Sequence, residues 1–158
     1  MIRNPFRAII SFWNWEKTGN NTGLANTKSF CSTEFREFVF NAVSRWCELI
    51  EDWVTWGTNL RVVFFEELSR NPVEKTREIL YHLKVPVDES RMSCLSRHLE
   101  GQFHRRRPKP LNPFTVEQRA VTAWAVERAG RVLRDRLEIN IPDYQLEDGE
   151  GQTPVICP

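Results

Sequence analysis

Apolar residues recur at intervals of three or four along most of the chain, the spacing that collects side chains on one face of a helix. The predicted helices span residues 3–15, 34–56, 71–85, 88–99 and 115–137. The second helix has an apolar stripe of Phe35, Val39, Val43, Trp46, Ile50 and Trp53. We interpret this aromatic stripe as core packing, which is its usual role in an amphipathic helix.

Three of the predicted helices begin with local start signals. Pro5 follows Asn4, and Pro suits a first helical position because its missing N–H would have no partner there. Asn71 precedes Pro72 and Glu74, which predicts a capped start with Glu74 reaching back. A second capping box is predicted at 115–118, and its helix has Val116, Ala120, Trp124 and Leu133 as apolar positions.

Residues 60–65 form a short run of β-branched and aromatic residues that predicts a strand. A strand, a turn and a helix in this order are typical of an α/β unit with a parallel sheet. The stub before Arg3 is the other candidate strand. Because one strand cannot form a stable sheet, we expect the missing strands upstream of Met1 and interpret the chain as the later part of a longer fold.

The remaining segments are predicted to lack regular structure. Residues 16–32 are rich in Asn, Thr, Gly and Ser, residues 101–113 form a basic loop with several prolines, and residues 143–158 are acidic and aperiodic. We therefore predict a partial domain over 1–142 and a flexible tail over 143–158.

Composition narrows the class of protein. A chain of 158 residues that is 41% hydrophobic and contains six Trp is suited to one folded domain and not to disorder. A net charge of +1 argues against a general nucleic-acid partner. No apolar stretch approaches the roughly 20 residues of a membrane span.

Arg3 and Ser11 are the first candidate binding residues. A strand that ends at an Arg and enters a helix places a guanidinium beside free backbone N–H groups, and both favour an anion such as a phosphate. Ser11 could add a neutral donor. The alternative is a surface Arg and an ordinary helix Ser.

A second candidate is the basic run Arg105-Arg106-Arg107 with Lys109. Four cations in five positions repel one another, so they are either solvated or converge on a polyanion.

Catalytic signatures are missing from the sequence. It contains no Gly-rich phosphate loop, no zinc-type Cys spacing and no nucleophile elbow, so no catalytic residue and no metal ligand is assigned. Cys31, Cys47, Cys94 and Cys157 allow three pairings that the sequence leaves open. Asn20-Asn21-Thr22 is a glycosylation triplet that points weakly to a lumenal location.

In order along the chain, these elements resemble the C-terminal half of the sulfotransferases that use 3′-phosphoadenosine 5′-phosphosulfate (PAPS). Ile2-Arg3-Asn4-Pro5 with Ser11 is similar to the element whose Arg and Ser hold the 3′-phosphate of PAPS. Residues 62–68 are similar to that family's strand ending in Tyr-Glu-Asp-Leu, and residues 101–105 occupy the place of its late basic loop. Residues 1–9 and 112–115 most resemble the WSC domain-containing sulfotransferases.

This resemblance implies an α/β fold: the C-terminal half of a P-loop-like sulfotransferase domain, helix-rich with few parallel strands. It implies transfer of a sulfuryl group from PAPS to a glycan hydroxyl, with sialic acid as an acceptor and no metal. It also implies a full-length protein anchored in the Golgi membrane as a type II protein, its catalytic domain in the lumen. Arg3, Ser11, Arg105 and Arg106 are the residues carried over to the nucleotide site.

The sequence departs from the family pattern in several places. The phosphate loop with its Lys and the catalytic base belong before Arg3, so we expect this chain alone to hold part of a nucleotide site without catalysing. Phe65 stands where many relatives have Tyr. The alternatives are a non-catalytic degenerate paralogue and a polyanion- or glycan-binding module on the same fold.

Overall fold

The computed structural model describes residues 1–99, 111–144 and 153–154. Helices dominate this part of the chain. They are α1 (Pro5–Thr18), a 3₁₀ helix (Thr27–Cys31), α2 (Thr33–Trp56), α3 (Phe65–Arg70), α4 (Pro72–His82), α5 (Glu89–Arg97) and α6 (Val116–Leu137). Two short strands, β1 (Leu111–Asn112) and β2 (Thr153–Pro154), pair in parallel.

The described residues fall into two compact units, where a single partial domain over 1–142 was predicted. The first unit combines residues 1–4 with 58–99, and the second combines 5–57 with 111–144 and 153–154. The predicted flexible tail is not free along its whole length, because Tyr144 is buried and Thr153–Pro154 pair with β1.

The predicted strand over 60–65 is reduced to one parallel bridge in the first unit, between Ile2 and Phe64. The Ile2 N–H donates to the Val63 carbonyl (2.8 Å), and the Phe65 N–H donates to the Ile2 carbonyl (2.7 Å). The strand prediction is wrong in extent. Phe65 already belongs to α3 and Pro5 to α1, so both segments enter helices directly after the bridge and the ladder cannot lengthen in that direction.

Helix α4 begins at Pro72 as predicted, but its predicted capping box is wrong. The Asn71 side chain makes no capping hydrogen bond, and the Lys75 N–H donates instead to the Asn71 backbone carbonyl. The helix ends at His82, before the predicted limit, and Lys84 adopts a left-handed conformation (φ 57°) directly after it.

Helix α5 lies within its predicted span and begins at a side-chain cap. The Asp88 carboxylate accepts hydrogen bonds from the backbone N–H groups of Ser90 and Arg91. The Ser90 hydroxyl also donates to it (2.7 Å), and these bonds hold the pKa of Asp88 below its usual range.

The core of the second unit lies along α2, which packs against α1 and α6. Helix α2 begins after the Ser32 cap and ends at Trp56, the predicted limit, with Gly57 as its C-cap. Phe35, Val39, Val43 and Ile50 are buried as predicted, but Cys47 and Val54 take the places predicted for Trp46 and Trp53. Smaller side chains suit this seam, because α6 presents the small residues Ala125 and Ala129 to the core.

The predicted capping box of α6 is confirmed, because Gln118 N–H donates to Thr115 Oγ1 and Thr115 N–H donates to Gln118 Oε1. The predicted apolar face is largely wrong. Leu133 is buried, but Val116, Ala120 and Trp124 are exposed. The buried face is instead formed by Gln118, Thr122, Ala125, Ala129, Gly130 and Leu133.

The segment predicted as a loop over 16–32 is partly helical. Helix α1 continues to Thr18, and the 3₁₀ helix places Phe30 in the core. Phe30 lies against Trp13 and Phe35, whose ring centroids are 6.5 and 5.1 Å from its own. The Trp13 indole N–H donates to Ser29 Oγ (3.0 Å), so this segment is fixed by packing and by a polar contact.

No helix in the described ranges is long and apolar enough to cross a membrane. The described chain is helix-rich, and its pairings, Ile2 with Phe64 and β1 with β2, are parallel. Its assignment to a P-loop-like sulfotransferase fold stays a prediction.

Candidate functional site

Arg3 lies in the first unit, directly after the residue that forms the parallel bridge. Its side chain is half-buried, and its guanidinium carbon lies 4.5 Å from the centroid of the Phe65 ring. A guanidinium at this distance is attracted to the face of an aromatic ring. The cation is thus held at the turn where the extended segment ends, as predicted.

Glu66 gives this turn an acidic neighbour that the sequence argument missed. The Asn4 N–H donates to Glu66 Oε1 (2.9 Å), so one of the backbone donors predicted to be free for an anion is occupied. The other oxygen, Oε2, is buried and accepts no hydrogen bond from the part of the chain that the structure describes. A buried acceptor in this state favours a ligand that brings a donor.

Glu67, the neighbouring acid, has a structural partner. Lys75 Nζ lies 3.2 Å from its carboxylate and 3.2 Å from that of Glu78. Hydrogen bonds to Glu67 and to Glu78 raise the pKa of Lys75 above its ordinary value. Lys75 thus pairs with Glu67 Oε2, whereas Glu66 Oε2 is a buried oxygen without a partner among the described residues, and both acids lie in the short helix α3.

The other predicted site residues are Ser11, Arg105 and Arg106. Ser11 lies on α1 in the second unit and is half-buried. Its joint site with Arg3 stays a prediction. Arg105 and Arg106 lie outside the described residues.

The first unit also contains a surface cleft of about 940 Å³ that sequence reasoning did not find. Its lining includes Arg61, Arg77, Glu78, Tyr81, His82 and Lys84. Arg61 pairs with Glu78 and Arg77 with Glu89, so most of this charge is neutralised within the protein. The basic residues scattered between positions 61 and 84 are the one feature of the sequence that could have predicted this cleft.

Cysteine chemistry is divided between bonded and free residues. Cys31 is disulfide-bonded, whereas Cys47 and Cys94 are free thiols. Each of the three pairings left open above joins all four cysteines, so none of the three is correct. Within residues 1–99 and 111–144, no group of three His, Cys, Asp or Glu side chains is placed to hold a metal ion.

Comparison with known proteins finds relatives of one family. The chain is 31% identical over 128 residues to a WSCD family member of Drosophila pseudoobscura pseudoobscura, which is 76% of this chain and 39% of that protein. It is 30% identical to a WSCD family member of Drosophila melanogaster over the same shares. A WSCD family member of Aedes aegypti is 27% identical over 68% of this chain and 35% of its own length.

These similarities support a relationship between this chain and the WSCD family, in agreement with the resemblance at residues 1–9 and 112–115. The chain spans about two fifths of the length of the curated relatives it matches. No family model and no solved structure matches it.

Proposed function

We propose that this chain forms part of a sulfotransferase that moves a sulfuryl group from PAPS to a glycan hydroxyl, with sialic acid as an acceptor. The similarity to WSCD relatives over three quarters of the chain supports the family. The local observation that carries the proposal is the placement of Arg3 at the end of the bridged segment.

Arg3 is suited to the 3′-phosphate of the nucleotide. The donors of a guanidinium lie in its plane, and the guanidinium carbon of Arg3 lies over the Phe65 ring. A phosphate that lies in this plane can be bound in a bidentate fashion. Such charge-assisted hydrogen bonds are each worth roughly 1.5–3 kcal/mol.

Glu66 complements this assignment. A nucleotide carries hydroxyl and amino donors as well as phosphates, and Glu66 Oε2 is a buried acceptor that has no partner within residues 1–99, 111–144 and 153–154. Asn4 N–H holds the other oxygen of the carboxylate and so fixes its orientation. We assign Glu66 to a donor group of the nucleotide and Arg3 to a phosphate.

Sulfuryl transfer spreads negative charge in its transition state, so positioning and cationic stabilisation are expected to dominate, as in phosphoryl transfer. The role proposed for this chain is nucleotide binding, and none of its residues is assigned as the catalytic base. The disulfide at Cys31 supports an oxidising compartment such as the Golgi lumen, where glycan acceptors are found.

Calorimetric titration with 3′-phosphoadenosine 5′-phosphate tests the site. Arg3→Ala should weaken binding roughly 10- to 100-fold, because it removes a charge-assisted hydrogen bond to the phosphate. Arg70→Ala is the matched control, since Arg70 is exposed on α3 and forms no ion pair within the described ranges.

Ser11→Ala should weaken binding by a smaller factor of roughly 2 to 10, because the serine hydroxyl is an uncharged donor. Ser44→Ala on the exposed side of α2 is its control. Unchanged affinity in both Arg3→Ala and Ser11→Ala would show that the site assignment is wrong. Salt-sensitive binding of heparin without nucleotide binding would replace the proposal with the polyanion-binding alternative.

A further inference from the structure

The segment after α1 makes a tight turn at the surface of the second unit. Gly19 ends the helix in a left-handed conformation (φ 62°), and its N–H donates to the Trp15 carbonyl (2.8 Å). The Gly23 N–H then donates to the Asn20 carbonyl (3.2 Å), which closes a four-residue turn. Asn20 and Asn21 are exposed at this turn.

Asn20 and Thr22 are joined through their side chains. Asn20 Oδ1 accepts a hydrogen bond from the Thr22 N–H (2.9 Å) and another from the Thr22 hydroxyl (3.0 Å). This is the geometry by which Asn side chains stabilise turns. Asn20 Nδ2, in contrast, donates to no residue in the described part of the chain, so the amide nitrogen is left available.

The turn has room for a bulky substituent on its exposed side at Asn20, whereas its other end at Gly23 is closed by the Thr18 side chain. A side-chain carbon added at Gly19 would meet no atom within 4 Å. The buried contacts of the same segment, Asn14 with the Ala25 N–H and Trp13 with Ser29, lie on either side of the turn and do not involve Asn20. A group attached to Asn20 would extend into solvent without disturbing them.

We propose that Asn20 is an N-glycosylation site. It begins the sequence Asn20-Asn21-Thr22, and no other Asn of the 158 residues is followed by a non-proline residue and then Ser or Thr. The disulfide at Cys31 is an independent sign of the oxidising lumen in which this modification is made. The inference rests on the lumenal location put forward with the proposed function.

The modification would proceed by group transfer from a lipid-linked oligosaccharide diphosphate. The bond between the first sugar carbon and the diphosphate oxygen breaks, and that carbon forms a bond to Asn20 Nδ2. The nitrogen loses one proton, and the lipid diphosphate leaves. Oδ1 keeps its lone pairs, so the hydrogen bonds from Thr22 can persist in the product.

The experiment is translation of the whole chain behind a cleavable secretion signal in the presence of microsomes, with protease protection to verify lumenal entry. The wild-type chain should show one mobility shift that an N-glycan-cleaving enzyme removes. Asn20→Gln and Thr22→Ala should abolish the shift, whereas Thr22→Ser should retain it. Asn21→Gln, one residue away, is the matched control and should also retain the shift.

An unshifted wild-type chain inside the lumen, or a shift that survives Asn20→Gln, would overturn the proposal. Because the added signal delivers the chain to the lumen, failure here would count against Asn20 itself. It would leave the nucleotide site untouched, since that site is tested separately by titration of Arg3→Ala.

Discussion

Cys47 shows how burial decides what a residue can do. The thiol lies in the core of the second unit, with Sγ 3.7 Å from the Ala125 carbonyl oxygen and 3.8 Å from Glu51 Oε1. Burial, followed by the charge of Glu51, raises its pKa to about 11, against the opposing effect of Arg128. Cys94 is also a free thiol but is exposed on α5. The first is a core residue and the second is an accessible nucleophile.

We expect iodoacetamide at pH 8 to alkylate Cys94 and to leave Cys47 unmodified in the folded chain, because the thiolate is the reacting form. Cys47 should become reactive in concentrated urea, where the chain unfolds and exposes it to solvent. Mass spectrometry of the peptide containing each residue measures this. Equal labelling of the two peptides under native conditions would contradict the burial of Cys47.

At the scale of elements, the packing of α6 against α2 defines the second unit. Leu133 is fully buried in this seam, whereas Trp124 is 51% exposed on the same helix. Arg128 of α6 pairs with Glu51 of α2, and its guanidinium carbon lies 5.4 Å from the centroid of the Trp124 ring. This ion pair lies at the edge of the packing between α6 and α2, where solvent weakens its contribution to stability.

Substitution of these two α6 residues should have unequal effects. Leu133→Ala should lower the free energy of unfolding by roughly 2–5 kcal/mol, because it leaves a cavity in the core. Trp124→Ala should cost about 1 kcal/mol or less, since it removes an exposed ring and one cation–π interaction. Urea unfolding followed by circular dichroism compares them, and a larger destabilisation in Trp124→Ala would show that α6 presents the other face to the core.

At the scale of the whole molecule, the described residues form two compact units, each with its own means of stabilisation. The first combines the parallel bridge at Ile2 with ion pairs such as Arg77 with Glu89. The second has an aromatic and aliphatic core and the disulfide at Cys31, next to the buried Phe30. Reducing conditions should therefore lower the stability of the second unit.

Reduction should lower the stability of the second unit by about 2–4 kcal/mol, the usual contribution of a disulfide to a domain. Thermal unfolding with and without dithiothreitol measures the effect. Cys31→Ser should reproduce the reduced protein and lose its sensitivity to the reductant. The exposed free thiol offers a control, because Cys94→Ser should leave that sensitivity intact.

The position of Arg3 was predictable from nearby residues, but its environment was not. Arg3 was predicted as an anion-binding residue from the Arg-Asn-Pro sequence and its place before a helix. The ring of Phe65 and the carboxylate of Glu66 lie more than 60 positions away along the chain, and no local pattern links them to Arg3. Their contacts exist because the Ile2–Phe64 bridge brings the two segments together.

The sequence by itself determined where helices begin when the signal is local: Pro5 and Pro72 at first helical positions, and the Thr115–Gln118 box. Each depends on backbone geometry and hydrogen bonds within about one turn of helix, so residue type suffices to predict it. Only the tertiary structure decided which face each helix buries. On α6 the core contains Gln118 and Thr122, whose side-chain oxygens form hydrogen bonds to the local backbone, while Trp124 is exposed. Burial depends on the shape of the neighbouring helix, and a pattern of apolar residues along one segment does not contain that shape.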